Sequence, residues 1–234
     1  MTTVAFIALP SDLSLRKDIR QLMDNLAAGT RESQKPLAAR ALETAAREIL
    51  QATVTNLVKQ LEDPARPAHD IHKTLRSIDT HIGSLTRVLV GVLSNAKIEA
   101  AMRHYQTMLI DIDDENGVPQ PWMGFRVDDT FVTELRAVQA HLRDSSAPYD
   151  SARTVRLLNR VTDMVVRQFA EIPKEEMEFG FLVRKTADGG IALIRSAMHG
   201  MIGRSIPHLN ARQRAGLAEH IGSFVIELPA DRYA

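Results

Sequence analysis

Residues 71–92 read IHKTLRSIDTHIGSLTRVLVGV, and this stretch decides the fold class. Its apolar residues recur alternately four and three positions apart, at Ile71, Leu75, Ile78, Ile82, Leu85, Leu89 and Val92. On an α-helix this spacing places the apolar side chains on one face. A strict four-three repeat is typical of the contact face of an antiparallel helical bundle or of a helical dimer. The stretch therefore predicts a long helix that packs along its length against other helices.

The same periodicity continues on both sides of this stretch. It predicts further helices over residues 15–26, 36–61, 98–109, 131–142, 150–171 and 210–228. Pro36 suits the first turn of the second of these helices, and the segment Asp63–Pro67 is expected to end it. We therefore predict a mainly α fold, an antiparallel bundle of about seven to eight helices.

Some apolar segments are ambiguous between strand and helix. FGFLVRK (179–185) and IALIR (191–195) flank TADGG, a pattern that indicates a small β-hairpin near 179–195. The alternative is a helix over residues 191–206 that begins after Asp188; we favour an extended segment followed by a helix. VAFIAL (4–9) and SFVIEL (223–228) are rich in strand-forming residues, and if both are strands they are expected to join the hairpin in a small sheet.

The middle of the chain, DIDDENGVPQPWMGFRVDD (111–129), has no helical period. We predict an acidic, proline-containing connecting loop over 113–128 between an N-terminal helical half, 1–112, and a C-terminal helical half, 129–234. The alternative is that the two halves pack together as one domain. A connection this long in a compact domain is usually functional or a boundary.

This loop is also a candidate interaction site. Its proposed contact residues are three carboxylates and the single tryptophan of the chain: Asp113, Asp114, Glu115 and Trp122. A tryptophan that follows two prolines, which rigidify the segment, is a plausible anchor for a partner protein. The spacing of the carboxylates fails as an EF-hand, because Asn116 stands where that loop needs glycine and Trp122 where it needs glutamate. Weak binding of a divalent ion, or a simple solvated loop, are the alternatives.

Composition excludes several classes of function. The 234 residues carry 29 basic and 29 acidic side chains, which argues against a nucleic-acid-binding or polyacidic protein. The absence of cysteine excludes disulfides, thiolate metal sites and a cysteine nucleophile. No nucleophile-elbow or phosphate-loop motif is present, so no cofactor is predicted. We predict a cytoplasmic location, and arginine exceeding lysine 22 to 7 fits a GC-rich bacterial genome.

His69 and His72 are weak candidates for metal ligands, since residues three apart share a helix face. A stable zinc site needs a third ligand that the local sequence does not provide. The alternative is a solvated helix start. His199, within Ala197–Met201, can ligate copper or haem in principle, although a Met-rich apolar stretch is more often core.

An arginine ridge is the most specific surface feature of the sequence. It comprises Arg153, Arg156, Arg160 and Arg167, which lie within about 60° on a helical wheel. Guanidinium groups along one ridge can bind phosphates, carboxylates or an acidic partner. The alternative is a solvated face with local partners such as Asp163 and Glu171. No helix-turn-helix pattern accompanies the ridge, which argues against nucleic acid.

These observations lead to one principal hypothesis of function and two alternatives. The principal one is a protein-interaction or regulatory module that forms a homodimer and contacts another protein. The first alternative is a ligand-sensing helical domain with an apolar pocket in the C-terminal half, lined by Met164, Met177, Phe179, Phe181, Met198 and Met201. The second is a metal-assisted enzyme whose histidines and carboxylates converge from distant segments.

Overall fold

The computed structural model of the protein describes residues 2–56, 58, 69–144, 146 and 148–233, apart from the side chains of residues 54, 69–75, 77, 87 and 232. It confirms the mainly α fold and adds a four-stranded antiparallel sheet. The predicted end of the second helix at Leu61 and the break at Asp63–Pro67 lie outside the described residues.

The helices are α1 Leu13–Ala27, α2 Lys35–Leu50, α3 His69–Gly91, α4 Asn95–Met108, α5 Asp129–Arg143, α6 Ser151–Val166, α7 Ile172–Glu176, α8 Phe181–Ser205, α9 Ala211–Gly222 and α10 Ala230–Tyr233. Helices α2 and α6 run directly into π-helical turns, Gln51–Thr55 and Arg167–Glu171. A 3₁₀ turn, Ile206–His208, follows α8. The strands are β1 Thr3–Pro10, β2 Leu109–Asp113, β3 Pro119–Val127 and β4 Val225–Pro229.

Short polar side chains set the starts of several helices. Asp12 accepts a hydrogen bond from the backbone N–H of Ser14 at 2.6 Å, and Asp128 accepts one from Phe131 at 2.7 Å. Asn210 forms a reciprocal capping box at the start of α9. Each such cap satisfies a backbone donor that the helix itself leaves unpaired, and contributes about 1 kcal/mol. Local sequence therefore defines where these helices begin.

The sheet joins both ends of the chain to its middle. Its strand order is β2-β3-β1-β4, and Ile7 of β1 lies opposite Phe125 of β3 on one side and Val225 of β4 on the other. VAFIAL thus lies in β1, and only the last four residues of SFVIEL, from Val225, lie in β4. The expectation that these strands join a hairpin near 179–195 is wrong, because they join β2 and β3. Gly124 is required in β3, because a Cβ there would lie 2.7 Å from the backbone oxygen of Ile7.

The predicted connecting loop over 113–128 is wrong, because β2 and β3 form a β-hairpin there. The carboxylate of Asp114 accepts hydrogen bonds from the backbone N–H groups of Asn116 and Val118, both at 2.9 Å. Gly117 supplies the positive φ of +75° that the turn needs. Strand β3 pairs on both of its sides, and this pairing keeps it extended despite two prolines.

The predicted hairpin near 179–195 is also wrong. One continuous helix, α8, covers Phe181–Ser205, so the helical alternative is correct in type but starts too late at residue 191. Asp188 lies inside the helix and pairs with Lys174 instead of capping. Gly190 faces α3, where a Cβ would lie 3.1 Å from Leu85 Cδ1. Packing against α3 thus keeps this glycine-containing segment helical.

One large buried cluster packs the helices against the inner face of the sheet. It contains Leu15 and Ile98 from the predicted N-terminal half and Leu135 and Leu217 from the C-terminal half, all 2% exposed or less. The two predicted halves therefore contribute to the same core.

Candidate functional site

A cavity of about 150 Å³, here called the main cavity, lies between α2, α3, α6 and α8. Nearly all of its wall is apolar. Its aliphatic and aromatic lining includes Leu42, Ala46, Ile49, Leu50, Ile78, Ile82, Leu85, Leu89, Val165, Phe169, Ile191, Ile194 and Met198. Apolar protein cavities of roughly 150 Å³ stay dry and accept benzene-sized molecules. The main cavity therefore has the volume and the chemistry of a small-molecule site.

The four-three repeat of residues 71–92 builds one wall of this cavity. The members of the repeat whose side chains are both described and turned inwards, Ile78, Ile82, Leu85 and Leu89, all line it. Ile71 and Leu75 have side chains outside the described set, and Val92 is 54% exposed. These four members of the repeat thus pack within the chain, so they do not present a free dimer surface. Self-association stays a prediction.

Both π-helical turns border the main cavity. Thr53 of the first turn and Phe169 of the second are lining residues. The carbonyl oxygen of Phe169 accepts a hydrogen bond from the Tyr105 hydroxyl at 2.6 Å, and His104 Nε2 lies 2.8 Å from the carbonyl oxygen of Gln168. Two side chains of α4 therefore satisfy carbonyls of the widened turn. Such π-helical turns occur frequently at functional sites.

Besides Thr53, three described residues of the cavity wall have polar side chains: Thr86, Tyr105 and Lys174. Burial raises the pKa of the Tyr105 phenol, which keeps it protonated as a donor to Phe169. The Lys174 ammonium pairs with the Asp188 carboxylate. Thr86 is 8% exposed, and the described residues provide no hydrogen-bond partner for its hydroxyl. Among the described lining residues, Thr86 thus carries the one hydroxyl for which no hydrogen bond is found.

A second, smaller space of about 30 Å³, here called the side chamber, adjoins the main cavity. The two spaces share Thr53, Val165 and Met198 in their walls. The side chamber also contains Thr162, which is 4% exposed and whose hydroxyl has no partner among the described residues. A space of this size holds one water molecule or one small polar group.

His220 lines the side chamber from α9. It is 9% exposed, its ring lies edge-on to Phe224 with centroids 4.5 Å apart, and its Nε2 lies 3.5 Å from the carbonyl oxygen of Thr53. Burial lowers the pKa of His220 because the charged imidazolium loses its hydration. The ring is therefore neutral at pH 7, with one donor and one acceptor nitrogen.

The predicted pocket of the C-terminal half overlaps this site only in part. Met177 and Met198 line the main cavity, and Met201 lines the side chamber. Met164, Phe179 and Phe181 line neither, and Phe181 is 77% exposed. Helices α2 and α3 of the N-terminal half supply a large part of the wall, which the sequence interpretation did not foresee.

Two of the four arginines of the ridge form ion pairs with carboxylates of the same chain. Arg160 lies 2.7 Å from Glu134 and 5.2 Å above the Phe131 ring, while Arg167 lies 3.9 Å from Glu171. For Arg153 and Arg156, no ion-pair partner is found in the part of the chain that the structure describes. Two of the four predicted guanidinium groups thus already have carboxylate partners.

The predicted interaction residues of the middle segment do not form one surface. Asp113 and Glu115 are exposed, whereas the Asp114 carboxylate accepts backbone hydrogen bonds in the turn, which lower its pKa. Trp122 lies in β3 and packs on the outer face of the sheet, against the cluster that contains Phe6. The acidic turn and the tryptophan therefore act in separate environments.

Metal-binding candidates find no support in the described geometry. The side chains of His69 and His72 lie outside the described set. Among the residues that are described, no group of three or more His, Asp or Glu side chains is placed to hold a metal ion. His199 Nε2 lies 3.1 Å from Asp163 Oδ1, in a cluster with Arg195.

Sequence reasoning missed Thr86, Tyr105, Thr162 and His220. A usable signal existed for the threonines, since Thr86 follows Leu85 in the apolar repeat and Thr162 follows Val161 on the apolar face of α6. A hydroxyl within an apolar stripe must find a partner or remain unpaired. Such positions therefore mark candidate sites.

No protein-family model, no curated protein and no solved structure matches the chain. Within the described residues, no helix is both long enough and apolar enough to cross a membrane.

Proposed function

We propose that the protein binds a small, mostly apolar molecule in the main cavity. The observation that carries the proposal is a volume of about 150 Å³ lined by an almost wholly apolar wall. The side chains that line an unfilled apolar cavity lack van der Waals contacts that a filled core would provide, which costs free energy. A ligand of matching shape offsets part of that cost, because it restores van der Waals contacts that the lining side chains lack.

The charges around the cavity define the ligand further. The single charged side chain of the wall, among the described residues, is Lys174, and its ammonium is paired with Asp188. An ionised ligand would lose its hydration without gaining a partner of opposite charge. We therefore expect an uncharged molecule of about the size of benzene. Occupancy would alter the packing of α3 against α8, which suits a ligand-sensing or regulatory role.

Toluene binding tests the proposal. At a free concentration ten times its Kd, toluene should stabilise the folded protein by roughly 1.4 kcal/mol. For a domain of this size the unfolding temperature should rise by about 3–6 °C. Calorimetric unfolding scans with increasing toluene measure the shift. The benzylammonium ion, similar in size but charged, serves as the control and should give no shift. Absence of a toluene-dependent shift would refute the proposal.

Self-association is a second candidate, favoured by a specific observation at the start of α8. Phe181 and Leu182 are adjacent and each 77% exposed, which is unusual for large apolar side chains. If a second copy covers them, sedimentation velocity of the wild-type protein should show a dimer that the double variant Phe181→Ser/Leu182→Ser shifts to monomer. A monomeric wild-type protein at high concentration would remove this candidate.

A further inference from the structure

The side chamber is an extension of the main cavity and differs from it in chemistry. Thr53, Val165 and Met198 belong to the walls of both spaces, so these side chains lie between them. Methionine has three rotatable bonds and changes rotamer at low cost. A ligand in the main cavity can therefore extend a single group into the chamber.

Thr162 brings a hydroxyl-bearing side chain to the wall of the side chamber. The residue is 4% exposed, and its hydroxyl forms no hydrogen bond with another described residue. This hydroxyl is not wholly enclosed by protein atoms, so a polar group that enters the chamber can pair with it. The chamber volume of about 30 Å³ matches one hydroxyl or carbonyl group.

The neutral imidazole of His220 adds a second polar group to the same small space. Its Nε2 contact with the Thr53 carbonyl oxygen, at 3.5 Å, is at the outer limit of a hydrogen bond. Thr162 and His220 thus provide both donor and acceptor capacity, and neither is charged.

We infer that the ligand has an apolar body and one uncharged hydrogen-bonding group, a hydroxyl or carbonyl, and that this group binds in the side chamber beside Thr162 and His220. The inference rests on the proposed function and narrows its ligand class to small phenols, alcohols or ketones. A carboxylate is excluded from this class because none of the described residues that line the chamber carries a positive charge to compensate it.

The affinities of toluene and p-cresol, which differ by one hydroxyl, test the inference by isothermal titration calorimetry. In a purely apolar cavity the added hydroxyl weakens binding, since it is buried without a partner. Here p-cresol should bind at least as tightly as toluene. In Thr162→Val, p-cresol should lose roughly tenfold in affinity while toluene binding stays unchanged. Retained toluene binding also shows that the variant is folded.

Thr86→Val is the matched control, because it removes the other unpartnered hydroxyl, in the main cavity. It should leave the ratio of the two affinities unchanged. If toluene binds but p-cresol is tenfold weaker in the wild-type protein, the inference fails and the proposed function stands. The inference also fails, and the proposed function stands, if Thr162→Val leaves the ratio of p-cresol to toluene affinity unchanged. The same holds if Thr86→Val alters that ratio. If neither compound binds, both the inference and the proposed function fail.

Discussion

The Ala46→Leu variant should lose at least about tenfold in affinity for toluene and yet unfold at the same temperature as the wild-type protein or a higher one. Ala46 lies in the middle of the face of α2 that lines the main cavity, between Leu42 and Leu50. A leucine there adds three carbon atoms to the space that the ligand needs. Filling an apolar void typically stabilises a protein by about 0.5–2 kcal/mol. Binding and stability are therefore expected to change in opposite directions.

Titration calorimetry and thermal unfolding of the same sample check this prediction. Ala192→Leu is the control, because it makes the same substitution on an exposed position of α8 outside the cavity wall. It should bind toluene like the wild-type protein. Unchanged toluene affinity in Ala46→Leu would place the ligand elsewhere. A large loss of stability in that variant would show that the cavity is already filled by side chains.

Helix positions could be predicted because the signal for them is local. Periodicity over 131–142 predicted a helix that the structure shows at Asp129–Arg143, with its start fixed by the Asp128 cap. The helix predicted over 15–26 is observed at Leu13–Ala27. In both segments the spacing of apolar residues, the cap and the packing all favour the same conformation.

The two wrong predictions concern segments whose conformation depends on distant residues. Strand β3 stays extended because β1, more than 100 residues earlier in the chain, pairs with it from Ala5↔Val127 to Pro10↔Trp122. The segment around Gly190 stays helical because it packs on Leu85. Local turn residues in both segments favoured another conformation, and tertiary contacts overrode them.

The sequence predicts even less of the candidate site than of the fold. An apolar stripe has the same sequence pattern whether the opposing helix fills the space against it or leaves a void. The cavity lies where residues from α2, α3, α6 and α8 meet, next to the close approach of α3 and α8 at Gly190. The arginine ridge shows the same limit for surface residues. Periodicity predicted that Arg160 lies on the surface, but it could not identify Glu134 as the ion-pair partner of Arg160.

Phe131→Ala should lower the free energy of unfolding by about 3–5 kcal/mol, the largest effect on stability that we expect from a single truncation. Phe131 is fully buried, at 0% exposure, in the cluster that joins the helices to the sheet. Removing its ring leaves a cavity that the surrounding α5 and α6 side chains fill only partly. It also removes the surface on which the Arg160 guanidinium rests, 5.2 Å from the ring centroid.

Urea denaturation followed by circular dichroism measures this loss, and Phe181→Ala is the matched control. Phe181 is 77% exposed in the single chain, so at a protein concentration where the wild-type protein is monomeric the same truncation there should change the free energy of unfolding by no more than about 0.5 kcal/mol. For a domain of this size, the Phe131→Ala loss corresponds to a decrease in unfolding temperature of about 6–20 °C. Equal losses in the two variants would contradict the packing described for α5, because only a ring enclosed on all sides leaves a cavity when it is removed.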